Sequence, residues 1–284
     1  MNCPLCGSGR ISTKFTRQEF FFFRCGICGL IFIHPVPPAK VLESIYTKDY
    51  YRPWGKDAGE DVLVRKIKSL TFNRWLDILE KLQRPAKVLD VGCAFGLFLE
   101  SAAARGWDTY GLELAGYSAV KASAKFPGRI FKGDIFSAKY PDRSFDVVTM
   151  FDVIEHVPSL PGFMEEVRRI LKSGGYAVFS TVNTSSFSAR LMGKLWPHYK
   201  LEHIYYLNPR NFSKLLSDHG FFAVLRRNAS KFMSFSYVDS YLKTYPVPFV
   251  SGFCGVFRGI VPGFIQDRVF TAATGEMFVI ARKL

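Results

Sequence analysis

The chain has 284 residues, 48% of them hydrophobic and 22% charged, a composition that excludes a disordered or fibrous polymer and suits one large domain with a small one. Lys and Arg outnumber Asp and Glu by 38 to 24, and the excess lies mainly in residues 183–284, with 13 basic against 5 acidic side chains. Such a surface favours anionic partners, whether nucleic acid, phosphorylated compounds or acidic lipid, or serves solubility alone.

The N-terminus, MNCPLCGSGR, carries no apolar stretch behind a basic start and so does not read as a secretory signal. The charge-free run 244–257 is 14 residues and is broken by Pro246 and Pro248, too short to span a bilayer. A cytoplasmic setting is expected, with any membrane contact peripheral.

Four of the six cysteines, Cys3, Cys6, Cys25 and Cys28, form two C-x2-C pairs separated by 18 residues, each pair followed directly by glycine. Two thiolates projecting from each tight turn give the four-sulfur shell of a structural zinc site. Residues 1–38 therefore read as a small zinc-ribbon-like module, with a pair of strands expected over 11–24. The segment His34-Pro35-Val36-Pro37-Pro38 is a stiff link to a helical connector, 39–84. In that connector Tyr46, Tyr50, Tyr51 and Trp54 cluster, and 62–82 shows helical apolar spacing.

From residue 85 strands and helices alternate. Strands are expected at 87–91, 108–112, 129–131, 145–151 and 176–181, with helices at 95–105, 117–125 and 162–171 between them. That alternation predicts an α/β fold with a mostly parallel, Rossmann-like sheet covered by helices on both faces. A helix at 209–219, a strand at 220–226 and a last strand at 275–281 follow, with 228–274 reading as irregular.

In an open α/β sheet the ligand site lies beyond the carboxyl ends of the strands. The first strand-to-helix turn is Asp90-Val91-Gly92-Cys93-Ala94-Phe95-Gly96. Gly92 permits a sharp turn and Gly96 a close helix, but G-x-A-x-G fails the dinucleotide fingerprint G-x-G-x-x-G. Four acids follow successive strands: Asp90, Glu113, Asp134 and Asp152. Asp90 can meet an ammonium, Glu113 can accept two ribose hydroxyls, and Asp134 can accept from the exocyclic amine of adenine with Ile135 against the ring. Cys93, Ala94, Leu114 and Phe151 complete the expected cofactor-lining set.

Residues 85–182 resemble the class I S-adenosylmethionine-dependent methyltransferases, especially the small-molecule group similar to quinone-biosynthesis enzymes. The resemblance rests on VLDVGCAFG, YGLELA, GDIF, FDVVTMFDVIEHVPS and LKSGGYAVFSTVN. It implies a seven-stranded sheet with an antiparallel last strand, a glycine loop holding the methionine portion, ribose at Glu113 and adenine at Asp134. Ala94 departs from a common glycine, which is tolerated unless φ is positive there. Residues 3–38 with the YTKDYY segment resemble a narrower set in which a four-Cys module precedes the methyltransferase domain, including sugar C-methyltransferases.

Methyl transfer from a sulfonium mainly requires alignment and exclusion of water, with a base for an oxygen or carbon nucleophile. His156, after the fourth strand, and His203, in Leu201-Glu202-His203-Ile204, are the candidate bases, His203 first, each with Glu155 or Glu202 adjacent to orient it. His198 reads as a loop residue, Cys93 as a small contact to the cofactor, and Cys254 as buried. Residues 183–274 should cover the acceptor, and 232–265 could lie against a membrane. The reading is O- or C-methylation of a small-molecule, sugar or lipid-linked acceptor. The alternatives are an RNA methyltransferase, disfavoured because Asp152-Val153-Ile154-Glu155 stands where an amine-binding N/D-P-P-Y/F motif would be, and a non-catalytic zinc-dependent scaffold.

Overall fold

The computed structural model describes residues 1–17, 19–38, 61–244, 252 and 258–284. The aromatic cluster of Tyr46, Tyr50, Tyr51 and Trp54, the YTKDYY segment, Cys254 and part of the 232–265 stretch lie outside the described residues.

Among the described residues the strands are β1 (Ile11–Arg17), β2 (Phe20–Cys25), β3 (Ile31–His34), β4 (Lys87–Val91), β5 (Asp108–Glu113), β6 (Ile130–Lys132), β7 (Phe145–Phe151), β8 (Leu171–Val182), β9 (Tyr205–Tyr206), β10 (Phe221–Met233) and β11 (Phe270–Lys283). The helices are α1 (Val62–Leu79), α2 (Leu97–Ala103), α3 (Gly116–Lys125), α4 (Leu160–Ile170), α5 (Phe187–Met192), α6 (Pro209–Asp218), α7 (Phe235–Thr244) and α8 (Gly263–Gln266).

The main sheet has seven strands in the order β10-β11-β8-β7-β4-β5-β6. Strands β8, β7, β4, β5 and β6 are parallel, and β11 runs antiparallel to both β8 and β10. Consecutive strand residues point to opposite faces, so apolar pairs such as Val88/Leu89, Val147/Val148 and Phe278/Val279 feed two separate cores. One core packs Trp75, Leu76 and Leu79 of α1 with Phe98, Leu99 and Ala102 of α2. The other takes Leu160, Phe163, Met164 and Val167 of α4 and Phe212, Leu215 and Leu216 of α6.

Local chemistry explains where the helices begin. The Asp61 carboxylate accepts from the Leu63 and Val64 amides, Ser159 caps α4, and Asn208 with Asn211 forms a reciprocal capping box at α6.

Two expectations change. The stretch read as irregular is partly strand, because β10 continues to Met233 and β11 starts at Phe270, paired from Ser230↔Ala273 to Met233↔Phe270, with α7 following. A bulge between Asn228 and Ser230 breaks the side-chain alternation there, which hides the strand from a periodicity reading. In addition, the N-terminal strands do not pair only with one another. Their sheet has the order β1-β2-β3-β9, and β9 comes from far along the chain, with Ile31↔Tyr206 and Phe32↔Tyr205 in register. Cys3, Cys25 and Cys28 are buried in the same core as α4 and α6. Among the described residues no helix is long and apolar enough to cross a membrane.

Candidate functional site

The carboxyl ends of β4, β5, β6 and β7 lie side by side because those strands are parallel neighbours, and each hands its chain to a turn there. The turn after β4 is anchored to β5. The Leu112 carbonyl accepts from the Gly92 amide at 2.7 Å and from the Cys93 amide at 3.0 Å. Gly92 has φ +74°, and a Cβ on it would stand 2.7 Å from Val153 Cγ2, so the residue must be glycine on both counts. Val153, which the sequence reading did not single out, thus forms the wall opposite the loop.

Ala94 has φ +46°. The condition under which Ala there would be harmless is therefore not met: this left-handed turn costs an alanine about 1 kcal/mol that a glycine would not bear. Cys93 is buried with its sulfur toward Gly111 and Leu99. Burial raises its thiol well above the ordinary value, which removes a nucleophilic role.

The four acids stand in different environments. Asp90 is 3% exposed, accepts from Thr149 Oγ1 at 2.6 Å, and is pushed up to about 8 by burial, with nearby Glu113 adding to the shift. Glu113 is turned toward the loop: Oε2 accepts from the Ala94 amide and Oε1 from the Ala115 amide, both at 2.8 Å. Burial raises its pKa, while the Ala115 and Ala94 amides, Ser118 and the Leu114 amide pull it the other way. Asp134 is exposed, and the Ser137 amide donating to its Oδ1 at 2.7 Å holds it below the usual range. Ile135 is only 2% exposed, so its side chain belongs to the core and has little face to offer a ring; Leu114, 67% exposed, and Phe136, 49% exposed, are the apolar groups at that rim. Phe151 packs on Trp75 at 4.7 Å and Phe98 at 5.1 Å, behind the strand ends.

Asp152, φ +58°, is the fourth acid. Its Oδ1 accepts from Ser180 Oγ at 2.7 Å and its Oδ2 from Lys231 Nζ at 2.8 Å, and Lys231 also pairs with Glu276. Burial alone would raise Asp152, but Lys231 outweighs it and pulls the carboxyl down to about 2. Lys231 lies in the stretch read as irregular, which concealed this partner.

Beyond Asp152, Glu155 accepts from Thr181 Oγ1 at 2.9 Å and is pushed up to about 8 by burial and by Asp152. His156 Nδ1 lies 2.9 Å from the Glu202 main-chain carbonyl. A carbonyl only accepts, so Nδ1 carries the proton and Nε2 keeps a lone pair. The carboxylates of Glu155 and Glu202 do not orient this ring; a backbone oxygen does. His203 packs edge-on against His156 with centroids 4.6 Å apart, and its Nδ1 is buried without a hydrogen-bond partner, as is Glu202 Oε1. Burial pulls His156 down to about 4 and His203 well below its ordinary value, so both imidazoles are neutral at physiological pH. One donor atom from each of Glu155, His156 and His203 lies within 4.8 Å of the others, a spacing a divalent cation could bridge. His198 lies in a turn, as the sequence suggests, and its Nε2 donates to the Thr274 carbonyl at 2.7 Å.

At the N-terminus Cys3 and Cys28 sulfurs are 3.6 Å apart, as are those of Cys6 and Cys25, and all four lie within 4.8 Å of one another. A tetrahedron with metal–sulfur bonds of about 2.3 Å has edges of about 3.8 Å, so the four thiols fit one zinc ion. The Ile27 amide points at Cys25 Sγ, as sulfur ligands of a metal require.

Residues 65–225 match the family model described as a methyltransferase domain. The chain belongs to the methyltransferase-domain family. Among curated relatives it is similar to ubiquinone biosynthesis O-methyltransferases, 28% identical over 182 residues to that of Leptothrix cholodnii (59% of this chain, 77% of the relative) and 28% identical over 197 residues to that of Aliivibrio fischeri (64% and 82%). Among solved structures its fold is similar to an S-adenosylmethionine-dependent methyltransferase from Thermotoga maritima (TM-score 0.53, 18% identity, 86% of this chain and 99% of that one). It is likewise similar to the YcgJ protein from Bacillus subtilis (TM-score 0.53, 15% identity, 75% and 97%). This methyltransferase is S-adenosylmethionine-dependent, and its fold is the Rossmann-like one that the resemblance implied.

Lys231→Met tests the buried charge network of this methyltransferase. It leaves Asp152 and Glu276 without their shared cation, and the unfolding free energy in urea should fall by about 3 kcal/mol or more at neutral pH. The folded-state value of Asp152 lies below its unfolded value, so its contribution is present above pH 3.8 and is lost as pH falls toward about 2. That acid-side loss should disappear in the variant; an unchanged urea midpoint at neutral pH would contradict the network.

Proposed function

We propose that this methyltransferase transfers the methyl group to a hydroxyl oxygen of a small-molecule acceptor, with His156 as the base. The observation that carries the reading is the His156 ring itself, partly exposed and held through Nδ1 by the Glu202 carbonyl, a tautomer that places the basic lone pair on Nε2. His203, the first choice from sequence, is 6% exposed and braces His156 edge-on. The name of the O-methyltransferase relatives supports oxygen as the nucleophile.

Bound S-adenosylmethionine supplies an electrophilic methyl group on a sulfonium sulfur. The loop at Gly92 lets backbone approach the methionine portion, Glu113 accepts from the ribose hydroxyls, and Asp134 accepts from the adenine amine beside Leu114. Asp90 lies beneath the loop, and an ammonium brought near would draw it back to the carboxylate form. His156 Nε2 would take the proton of the acceptor hydroxyl, leaving its oxygen able to displace a thioether from the methyl carbon. In the same reading Cys3, Cys6, Cys25 and Cys28 hold one structural zinc ion, supported by their sulfur spacing.

An acceptor carried on a lipid surface is the second reading, favoured by Phe187 and Leu191 of α5, 80% and 73% exposed, with basic Arg190 and Lys194 beside them.

Glu113→Ala should weaken calorimetric binding of S-adenosylmethionine by about ten-fold or more while the protein stays folded; unchanged affinity would refute the ribose assignment. A labelled-methyl assay on catechols, nucleotide sugars and lipid-linked glycans, in solution and on anionic vesicles, identifies the acceptor. On that acceptor His156→Gln should lower kcat by about 10²-fold or more with cofactor affinity kept. Because a base works deprotonated and burial holds His156 near 4, the acid limb of kcat/KM should lie well below pH 6. A limb near 6.5, or wild-type kcat in the variant, would sink the base assignment. Metal analysis should find one zinc ion per chain, lost together with thermal stability in Cys3→Ser; metal-free protein from zinc-replete cells would overturn the zinc reading.

A further inference from the structure

We infer that the second cysteine knuckle is the positioning element of the acceptor-side histidines, and that Asn208 is the residue that couples them. The inference rests on the zinc and His156 readings above and goes beyond them, since neither says what the N-terminal module does for the reaction.

The segment carrying His203 has little structure of its own. It contains the two-residue strand β9, flanked by turns, and such a strand gains its order only from the groups that pair with it. On one side those groups belong to the N-terminal sheet: β9 is its fourth strand, and the Ile33 amide donates to the Ile204 carbonyl at 3.0 Å. On the other side the Ile204 and Tyr205 amides donate to the Glu155 carbonyl, at 2.8 and 3.2 Å. The residue Ile204 is thus a bridge, with its carbonyl on the knuckle sheet and its amide on the residue before His156. His203 and the Glu202 carbonyl that orients His156 lie directly before that bridge.

The C-terminal end of the segment is tied to the knuckle itself. Asn208 Nδ2 donates to the carbonyl of Gly29, the residue after Cys28, at 3.3 Å. Asn208 Oδ1 separately caps α6 by accepting from the Arg210 and Asn211 amides, both at 3.0 Å. One side chain therefore locks the second knuckle, the start of α6 and the end of the histidine segment together. Aromatic contacts extend the same joint, with Phe22 of β2 5.6 Å from Tyr206 and Phe15 of β1 4.9 Å from Tyr199. Arg17 adds a hydrogen bond to the Tyr199 carbonyl. Among the described residues no hydrogen bond ties the Gly92 loop to the N-terminal sheet: the loop hangs from β5 and faces Val153. Loss of metal should consequently loosen the acceptor side and spare the cofactor side, and a displacement of about 1 Å is enough to cost a reaction about 10²-fold.

The test compares the zinc-loaded full-length protein, the same protein after a thiol-displacing mercurial and chelator, and Asn208→Asp. Aspartate keeps the oxygen that caps α6 and removes only the donor to Gly29. Hydrogen exchange is read by mass spectrometry, and S-adenosylmethionine affinity by calorimetry. In both altered forms peptides covering 203–207 should exchange about ten-fold faster or more, while peptides covering 87–91 and 108–113 keep their protection and cofactor Kd stays within about two-fold. On the acceptor found above, kcat of Asn208→Asp should fall about ten-fold or more, and Asn208→Gln, which restores a donor, should recover part of it. Wild-type exchange over 203–207 in Asn208→Asp would overturn the inference, as would loss of protection in every strand together with cofactor affinity. If the purified protein holds no metal, the zinc reading fails and Asn208→Asp still decides the coupling.

Discussion

The Leu112 carbonyl, by accepting from both Gly92 and Cys93, hangs the turn after β4 on the end of β5. Two neighbouring amides converging on one oxygen require the chain to reverse within a residue, and only the positive φ of Gly92 allows that. Once the turn is made, the Ala94 amide reaches Glu113, Val153 closes over the loop, and Gly96 caps the start of α2. The strand order then brings Asp134 and Asp152 to the same edge. In an open α/β sheet ligands bind beyond that edge, and each element on it here is short, local and built into the parallel sheet.

The region around Asp152, His156 and Ile204 obeys a different constraint. There the groups are charged or polar and deeply buried, so each must find a partner. Lys231 serves Asp152 and Glu276 at once, a backbone carbonyl fixes the His156 tautomer, and the Ile204 peptide joins two sheets. None of these partners is near in sequence: Asp152 and Lys231 are 79 residues apart, and Arg17 and Tyr199 are 182 apart. The four-Cys module is therefore built into the main fold through β9 and a shared core rather than appended to it.

The elements that were legible in the sequence are those whose pattern is periodic. Strands β4 and β7 carry runs of Val, Leu and Met buried on both faces, and α4 places Leu160, Phe163, Met164 and Val167 on one stripe. The acids at the strand ends could be placed because strand boundaries could be. Strand β9 has two residues and no period, β3 only four, and the bulge in β10 interrupts alternation before Lys231. The φ of Ala94 is likewise invisible in composition, since alanine itself argues against it.

By itself the sequence determined the fold class, the family and the clustered cysteines: the glycine loop, the acids after successive strands and the C-x2-C pairs are each encoded within a few residues, where spacing and side-chain chemistry suffice. Tertiary structure alone decided the rest. It turned Ile135 into the core, gave Asp152 its lysine, buried His203 while leaving His156 partly exposed, and joined the second cysteine pair to the histidine segment. The physical reason is that buried polar groups take whichever partner the folded chain brings within about 3 Å, and that choice is made by packing between distant segments.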